Sequence, residues 1–418
     1  MKTRLPLLAL LAVICLLTGC AANPGVTETP SASGLAQPVS TAADATEAET
    51  QTTAAPETNG ALETTAEAET TTAPETTTVP ETTEMEPYLS TNEAGKLVVH
   101  CSVPNDDRPA YAYTFNPHAF SSLYTMVYGE EVAEEICGFC DAVLAGEDSF
   151  PCTGRENWVL ISDIKNTLLP VCFYVDVGVW GGGFNPELLQ DGRYPLFYNE
   201  VSKQEFLSIV AEFKERVAFL IAQADLREGD SDLEKAMKLY TATSLRIRYD
   251  TDAASDNNPR ATTAYHAIMH DEGICQEIAP AYSYLLLQAG VDAGVCFGTT
   301  KDGQAAHMWS LVNLDGTWYH ADPTFQGSHS PYALQFFLTP DAERDQRTFD
   351  LEGLQIGEFN VLSHKDLPMD DTRYAALWDV CWYAIDHEAG TIEYYDDSTL
   401  DYSDPTVYKQ ARKTLPLP

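Results

Sequence analysis

The sequence Gly273-Ile274-Cys275-Gln276 opens the stretch whose reading decides the fold. It runs on through Ala306-His307-Met308-Trp309-Ser310 and Asp315-Gly316 to Trp318-Tyr319-His320-Ala321-Asp322-Pro323-Thr324. After Cys275, apolar residues recur at Ile278, Tyr282, Leu285, Leu286 and Ala289, which is helical spacing, and Gly290 stands where a helix-ending glycine belongs. Cys275 is therefore expected at a helix N-terminus, where free N–H groups and the helix dipole favour thiolate over thiol. A backbone N–H there also faces a developing oxyanion.

Asp-Gly is the preferred centre of a two-residue hairpin turn. With Asp315-Gly316 as that turn, Leu314 pairs with Thr317 and Trp309 lies opposite Asp322. His307 is then the diagonal neighbour of Asp322 on one face, within reach of a side-chain hydrogen bond. A three-residue loop would put the two on opposite faces, so the juxtaposition rests on the turn. Cysteine, histidine and aspartate in this order read as nucleophile, base and orienter.

The combined pattern resembles the transglutaminase-like superfamily, relatives of papain-type cysteine peptidases. The matching features are Gly-x-Cys-Gln, a helix, His-x-Trp, and Gly-x-Trp-Tyr-x-x-Asp-Pro-Thr. The resemblance implies an α+β fold with a papain-like core, in which the nucleophile helix packs on an antiparallel sheet. It implies Cys275 as nucleophile, His307 as general base and acid, and Asp322 as orienter. The sequence departs from the family at Glu277, where a glycine is usual, and at Ser310, where an asparagine is usual. Glu277 is expected to put a carboxylate beside the nucleophile and to discourage its thiolate.

Working outward, residues 1–20 have the form of a targeting segment. Lys2 and Arg4 precede an apolar run from Leu5 to Leu17, too short for a comfortable membrane span. Leu17-Thr18-Gly19-Cys20 resembles the lipobox of bacterial lipoproteins, which implies cleavage before Cys20 and lipidation of its thiol. Residues 21–88 are Thr, Ala, Glu and Pro with no Lys or Arg, and Pro-Glu-Thr recurs at Pro56, Pro74 and Pro80. Such a segment buries too little apolar surface to offset its chain entropy and is expected to be a disordered linker. Its reach is roughly 50 to 200 Å between the coil and extended limits.

A small α+β domain is expected over 89–200, with strands at Leu97–Cys101, Trp158–Ile161 and Val171–Val175, a helix over Glu130–Leu144 and a loop at Gly181-Gly182-Gly183. Over 201–345 the catalytic core begins with two helices, each announced by a capping box: Ser202 with Glu205, and Ser231 with Glu234. Residues 346–418 are expected to pack on the core as a C-terminal extension. Further sheet is read at Phe336-Phe337-Leu338 and Thr391–Tyr395, with Trp378, Trp382 and Tyr383 between.

The formal charge of −39 over 418 residues argues against nucleic acid as a partner. The partners expected are instead a protein or peptide substrate at the cell surface and the lipid bilayer, reached through Cys20. No cofactor or metal is expected. Asp250, Asp252 and Asp256 lack the glycine and final glutamate of a calcium loop. Cys137-Gly138-Phe139-Cys140 has redox spacing but sits in a helical pattern, and reads as buried thiols or a local disulfide. His320 shares a face with Asp322 and competes with His307 for it, although only His307 carries the Trp two residues on. His266 and His270 read as surface residues.

The whole describes a membrane-anchored, extracytoplasmic cysteine enzyme acting on peptide or glutamine amides through a thioester, with hydrolysis expected ahead of amine transfer. The competing readings are a non-catalytic binding or adhesion module on the same fold, and a purely structural surface protein. Mass spectrometry of the mature protein is expected to show a lipid-modified Cys20 as N-terminus, and mild proteolysis to leave a stable fragment beginning near Pro87. An unmodified N-terminus removes the anchor, and protection across residues 30–80 removes the linker.

Overall fold

The computed structural model describes residues 88–177, 192–255, 263–301, 306–325, 332–346, 355–356, 362, 365–396 and 412–417. The Cys20 motif, the linker through residue 87, the three glycines 181–183 and Asp256 lie outside them. In chain order the first elements are β1 (Tyr88–Thr91), β2 (Leu97–His100), α1 (Ser122–Tyr128), α2 (Glu130–Leu144) and β3 (Ser149–Pro151). There follow α3 (Arg155–Leu168), β4 (Val175–Val177), β5 (Arg193–Tyr198), α4 (Lys203–Gln223), α5 (Asp232–Arg246), β6 (Arg248–Tyr249) and α6 (Thr251–Ser255). The central part comprises α7 (Ala264–His270), β7 (Glu272–Gly273), α8 (Cys275–Gln288), β8 (Ala293–Thr299), β9 (Ala306–Leu314) and β10 (Thr317–Ala321). Last come α9 (Asp341–Gln346), β11 (Gln355–Ile356), β12 (Val380–Asp386), β13 (Thr391–Asp396) and β14 (Lys413–Pro416).

The fold is α+β. Its central sheet has the order β10-β9-β8-β11 with every neighbour antiparallel. Asp315 and Gly316 both take positive φ (53° and 79°), as a two-residue turn of the primed type requires, and Leu314 pairs with Thr317. Helix α8 covers one face of this sheet. On the opposite face Leu123, Cys296, Trp309, Leu311, Trp318 and Met369 form a separate apolar cluster. The larger core is continuous, joining Ile136, Phe139 and Ile161 to Phe213, Tyr240 and Leu286.

Both capping boxes are present: Ser202 with Glu205 begins α4, and Ser231 with Glu234 begins α5. Each satisfies two N–H groups that a helix start otherwise leaves open. The apolar faces Phe206-Val210-Phe213-Val217-Ile221 and Leu233-Met237-Tyr240 are buried. Among the described residues no helix is long and apolar enough to cross a membrane.

Three local readings are corrected. Trp158–Ile161 is not a strand but lies within α3, where Trp158, Ile161, Ile164 and Leu168 are buried at intervals of three and four. Four apolar residues cannot disclose a 3.6-residue period, and the full fourteen do. Val171–Val175 is mostly a 3₁₀ turn, Pro170–Tyr174, because Pro170 at its first position presets the turn backbone; the strand is confined to Val175–Val177. Phe336-Phe337-Leu338 is not a strand, since Phe336 and Leu338 take positive φ (58° and 49°), which places their side chains off any β pleat. The neighbouring chain reaches the sheets through single bridges, His320 with Thr339 and Leu334 with Val380.

Asp230, whose side chain is fully buried, accepts hydrogen bonds from Arg108 (2.8 Å), Lys238 (2.7 Å) and the Arg227 N–H (2.8 Å), tying the chain before α1 to the start of α5. Removing one partner of such a group leaves uncompensated charge. Asp230→Ala is expected to lower stability by about 3 kcal/mol, against about 1 kcal/mol for the exposed cap variant Ser202→Ala. Denaturant unfolding checks both, and equal losses would remove this account of Asp230.

Candidate active site

Cys275 is the first residue of α8, and Ile274 before it is extended (φ −98°, ψ 178°). The approach is fixed by β7, which pairs in parallel with β6, and by the Asp250 N–H donating to the Gly273 carbonyl (3.0 Å). The backbone thus arrives as a strand and turns at once into a helix, leaving first-turn N–H groups beside the sulfur. Cys275 is only 4% exposed.

Glu277 does not sit as a free charge beside Cys275. Its side chain turns back so that Oε2 accepts from the Ile274 N–H (2.9 Å), the carboxylate half of a capping box. Oε1 faces His266 Nδ1 at 3.5 Å. Gly273 makes room for this: a Cβ there would stand 2.9 Å from Glu277 Oε2. His266 is consequently partly buried against Glu277, not a plain surface residue as the sequence reading had it.

The place of His307 along the sheet follows from the packing of α8. Ser283 Oγ donates to the Gly294 carbonyl (2.7 Å), and Ser310 Oγ donates to the Ala279 carbonyl (2.8 Å), with Ser310 opposite Val295. The C-terminal end of the helix joins β8 beside Asn313, whose N–H donates to the Asp292 carbonyl (2.9 Å). Moving from that end toward the start of α8 therefore moves along β9 from Asn313 toward Ala306. Cys275 comes to the end of β9 that carries His307.

His307 Nε2 stands 2.8 Å from Asp322 Oδ2, with His307 4% exposed and Asp322 fully buried. A carboxylate only accepts, so Nε2–H donates and Nδ1 is the basic nitrogen of the neutral ring. Asp322 itself is fixed through its backbone: its N–H donates to the Phe336 carbonyl (3.1 Å), and its carbonyl accepts from the Tyr240 hydroxyl (2.7 Å). Of the three residues the sequence singled out, His307 and Asp322 are thus joined by a buried hydrogen bond, and Cys275 opens the helix that packs on β9.

Arg344 was not foreseen. Its fully buried guanidinium donates to the same Asp322 Oδ2 from both terminal nitrogens (3.1 and 3.2 Å) and lies 4.2 Å from the Trp309 ring centre. In the sequence it sits in Asp-Ala-Glu-Arg-Asp, which reads as an exposed polar turn, and no signal there marks it as buried. His320 is not a competitor for Asp322. Its Nδ1 accepts from Trp309 Nε1 (2.9 Å) and its Nε2 faces Asp341 Oδ1 (2.9 Å).

Burial alone would raise the pKa of Asp322, but His307 and then Arg344 outweigh it and hold the carboxyl below its ordinary range. Burial lowers the pKa of His320 despite Asp341, which suits a neutral ring accepting at Nδ1 and donating at Nε2. Burial pushes the Cys140, Cys172 and Cys296 thiols up. Cys152 is raised to about 12 by burial and by its neighbour Glu135. Among the described residues Asp230, Glu234 and His387 come within 4.8 Å as a set of metal-type donors. Asp230, however, already serves two cations. Among the described residues no two cysteines form a disulfide, Cys137 and Cys140 in α2 included.

Residues 221–323 match the sequence model of the transglutaminase-like superfamily. Over 110 residues the chain is 26% identical to the kyphoscoliosis peptidase of Mus musculus, covering 24% of this chain and 17% of that protein. The chain therefore spans less than a fifth of that relative's length. A crystal structure of a TGase aligns with 17% identity over 30% of this chain and 34% of its own, at a TM-score of 0.26. A structure described as a candidate cysteine protease from Cytophaga hutchinsonii aligns with 14% identity over 37% and 44%, at a TM-score of 0.25. A transglutaminase-like segment thus contains Cys275, His307 and Asp322.

The lowered pKa of Asp322 fixes the sign of a stability effect. Its contribution is complete above the unfolded-chain value of about 3.9 and is lost as pH falls through the lower folded value. Asp322→Asn is expected to depress the unfolding midpoint at pH 7 and to do so less and less below about pH 4. A difference that stays constant with pH would remove the charged role of Asp322.

Proposed function

We propose that the protein is an exported cysteine enzyme that cleaves peptide or glutamine-side-chain amides through a thioester, held at the extracytoplasmic face of the cell membrane by lipid on Cys20. The observation that carries this reading is the buried His307–Asp322 hydrogen bond of 2.8 Å on the sheet against which the helix opened by Cys275 packs.

His307 Nδ1 takes the thiol proton, and the imidazolium is stabilised by Asp322. The thiolate attacks the amide carbon, a C–S bond forms, and the carbonyl π pair moves to oxygen. Backbone N–H groups at the start of α8 face that oxyanion. The tetrahedral adduct collapses, the C–N bond breaks, and the departing ammonia or amine takes the proton from His307. Water, deprotonated in turn by His307, adds to the thioester and releases the acid with the thiolate restored. Water is present in vast excess over amines, so hydrolysis or deamidation is the favoured outcome. The Thr/Glu/Pro segment before residue 88 acts as a spacer lifting the catalytic part off the bilayer.

A limiting dose of iodoacetate near pH 7 is expected to mark Cys275 before Cys296, whose thiol burial holds protonated. His307→Ala is expected to slow that labelling about tenfold or more by removing the partner cation. Peptide mapping reads both. Equal labelling of the two cysteines, or no effect of His307→Ala, would put a non-catalytic binding module in place of the enzyme.

A further inference from the structure

Arg344 is a buried charge that the mechanism above does not use. It shares a single oxygen, Asp322 Oδ2, with His307, at 3.1 and 3.2 Å against 2.8 Å for the imidazole. A carboxylate that only oriented the histidine would need no buried cation on the same atom. The guanidinium also lies over an aromatic ring: its central carbon is 4.2 Å from the Trp309 ring centre, and Trp309 is itself stacked against the His307 ring (5.7 Å between centres, 26° between planes). Trp309 is pinned in turn by His320, and His320 by Asp341. Asp341 and Arg344 both belong to the six-residue helix α9. One short helix thus delivers an anion to the Trp309–His320 line and a cation to the His307–Asp322 line.

We propose that Arg344 is a positioning residue that sets the basicity of His307, by taking part of the Asp322 charge that would otherwise stabilise the imidazolium. This rests on the catalytic reading given above. Two physical effects act in the same direction. The guanidinium competes for the lone pairs of Oδ2, and its positive charge repels a second cation across the carboxylate. Without it, a buried aspartate would raise the affinity of His307 for its proton by roughly one to three pH units.

The other groups facing this cluster do not supply the same effect. Tyr240 on α5 and Cys296 on β8 are kept in their neutral forms by burial. His320 on β10 is held below its ordinary value. Glu277, on the helix of Cys275, is turned to the Ile274 N–H and His266. Asp341 stands behind His320. Asp322 is the anion and Arg344 the cation whose contacts complete the cluster at His307.

The test is the pH profile of Cys275 alkylation by iodoacetate in the intact protein. This anionic reagent needs the imidazolium, so its rate falls on the alkaline side as His307 loses its proton. Arg344→Gln is expected to move that alkaline limb upward by about one pH unit. Arg344→Lys, which keeps the charge but not the fork, should leave the limb in place while lowering the plateau. A merely structural role lowers both plateaus and moves neither limb, and that result overturns the proposal.

Should Arg344→Gln fail to fold, ¹⁵N NMR of His307 in Cys275→Ala with Arg344 intact decides. Titration near the ordinary histidine value of about 6.5 supports the proposal. Titration one or more units higher, as for an unshared aspartate–histidine pair, overturns it. A wild-type alkylation rate indifferent to His307→Ala would instead remove the catalytic reading itself.

Discussion

The carboxylate of Asp322 is the constraint on which the site depends. It is fully buried, and a buried carboxylate without partners is far costlier than any hydrogen bond is worth. The surrounding elements are therefore fixed to within hydrogen-bond distances. The β9–β10 hairpin must keep its register, since a slip of one residue would carry His307 to the other face. Tyr240 of α5 and the Phe336 carbonyl must hold the backbone at Asp322. Helix α9 must return Arg344 from beyond the sheet. Packing and electrostatics are here one requirement.

That requirement explains which parts could be read in advance. The hairpin was legible because Asp315-Gly316 is chemically specific: two positive φ values suit few other pairs, and from them the diagonal placement of His307 and Asp322 follows by counting. The two capped helices were legible for the same reason, since Ser231 and Glu234 each supply an acceptor at a fixed offset. Trp158–Ile161 was misread because a four-residue apolar run has no period. Arg344 was invisible because its burial depends on Asp322, twenty-two positions away in sequence. Phe336 and Leu338 escaped because no turn residue announces their left-handed backbone.

The two departures from the resembled pattern have structural work of their own. Ser310 lies on the face of β9 toward α8, and its hydroxyl ties the first turns of that helix to the strand that carries His307. Glu277 closes the N-terminus of the same helix and occupies the space that Gly273 leaves. Both therefore act on the placement of Cys275 relative to the sheet, one from the strand and one from within the helix. The expected conflict between the Glu277 carboxylate and a thiolate is met by pairing that carboxylate with the Ile274 N–H and His266.

Charge balance gives the arrangement its chemical sense. In the proposed reaction Cys275, His307, Asp322 and Arg344 would carry alternating anions and cations once the thiol proton has moved to the imidazole. Before the transfer the set holds one anion and one cation; afterwards it holds two of each. The net charge is zero in both states, so proton transfer inside a dry site changes the dipole of the set and not its total charge. Without Arg344 the same groups would carry a net negative charge at every stage. The cheapest remedy in a low-dielectric interior would be a permanently protonated His307. A histidine that always holds its proton cannot accept one from a thiol. On the proposed mechanism, the buried arginine beside Asp322 is thus the condition under which a deeply buried carboxylate remains compatible with a His307 that both takes and gives a proton.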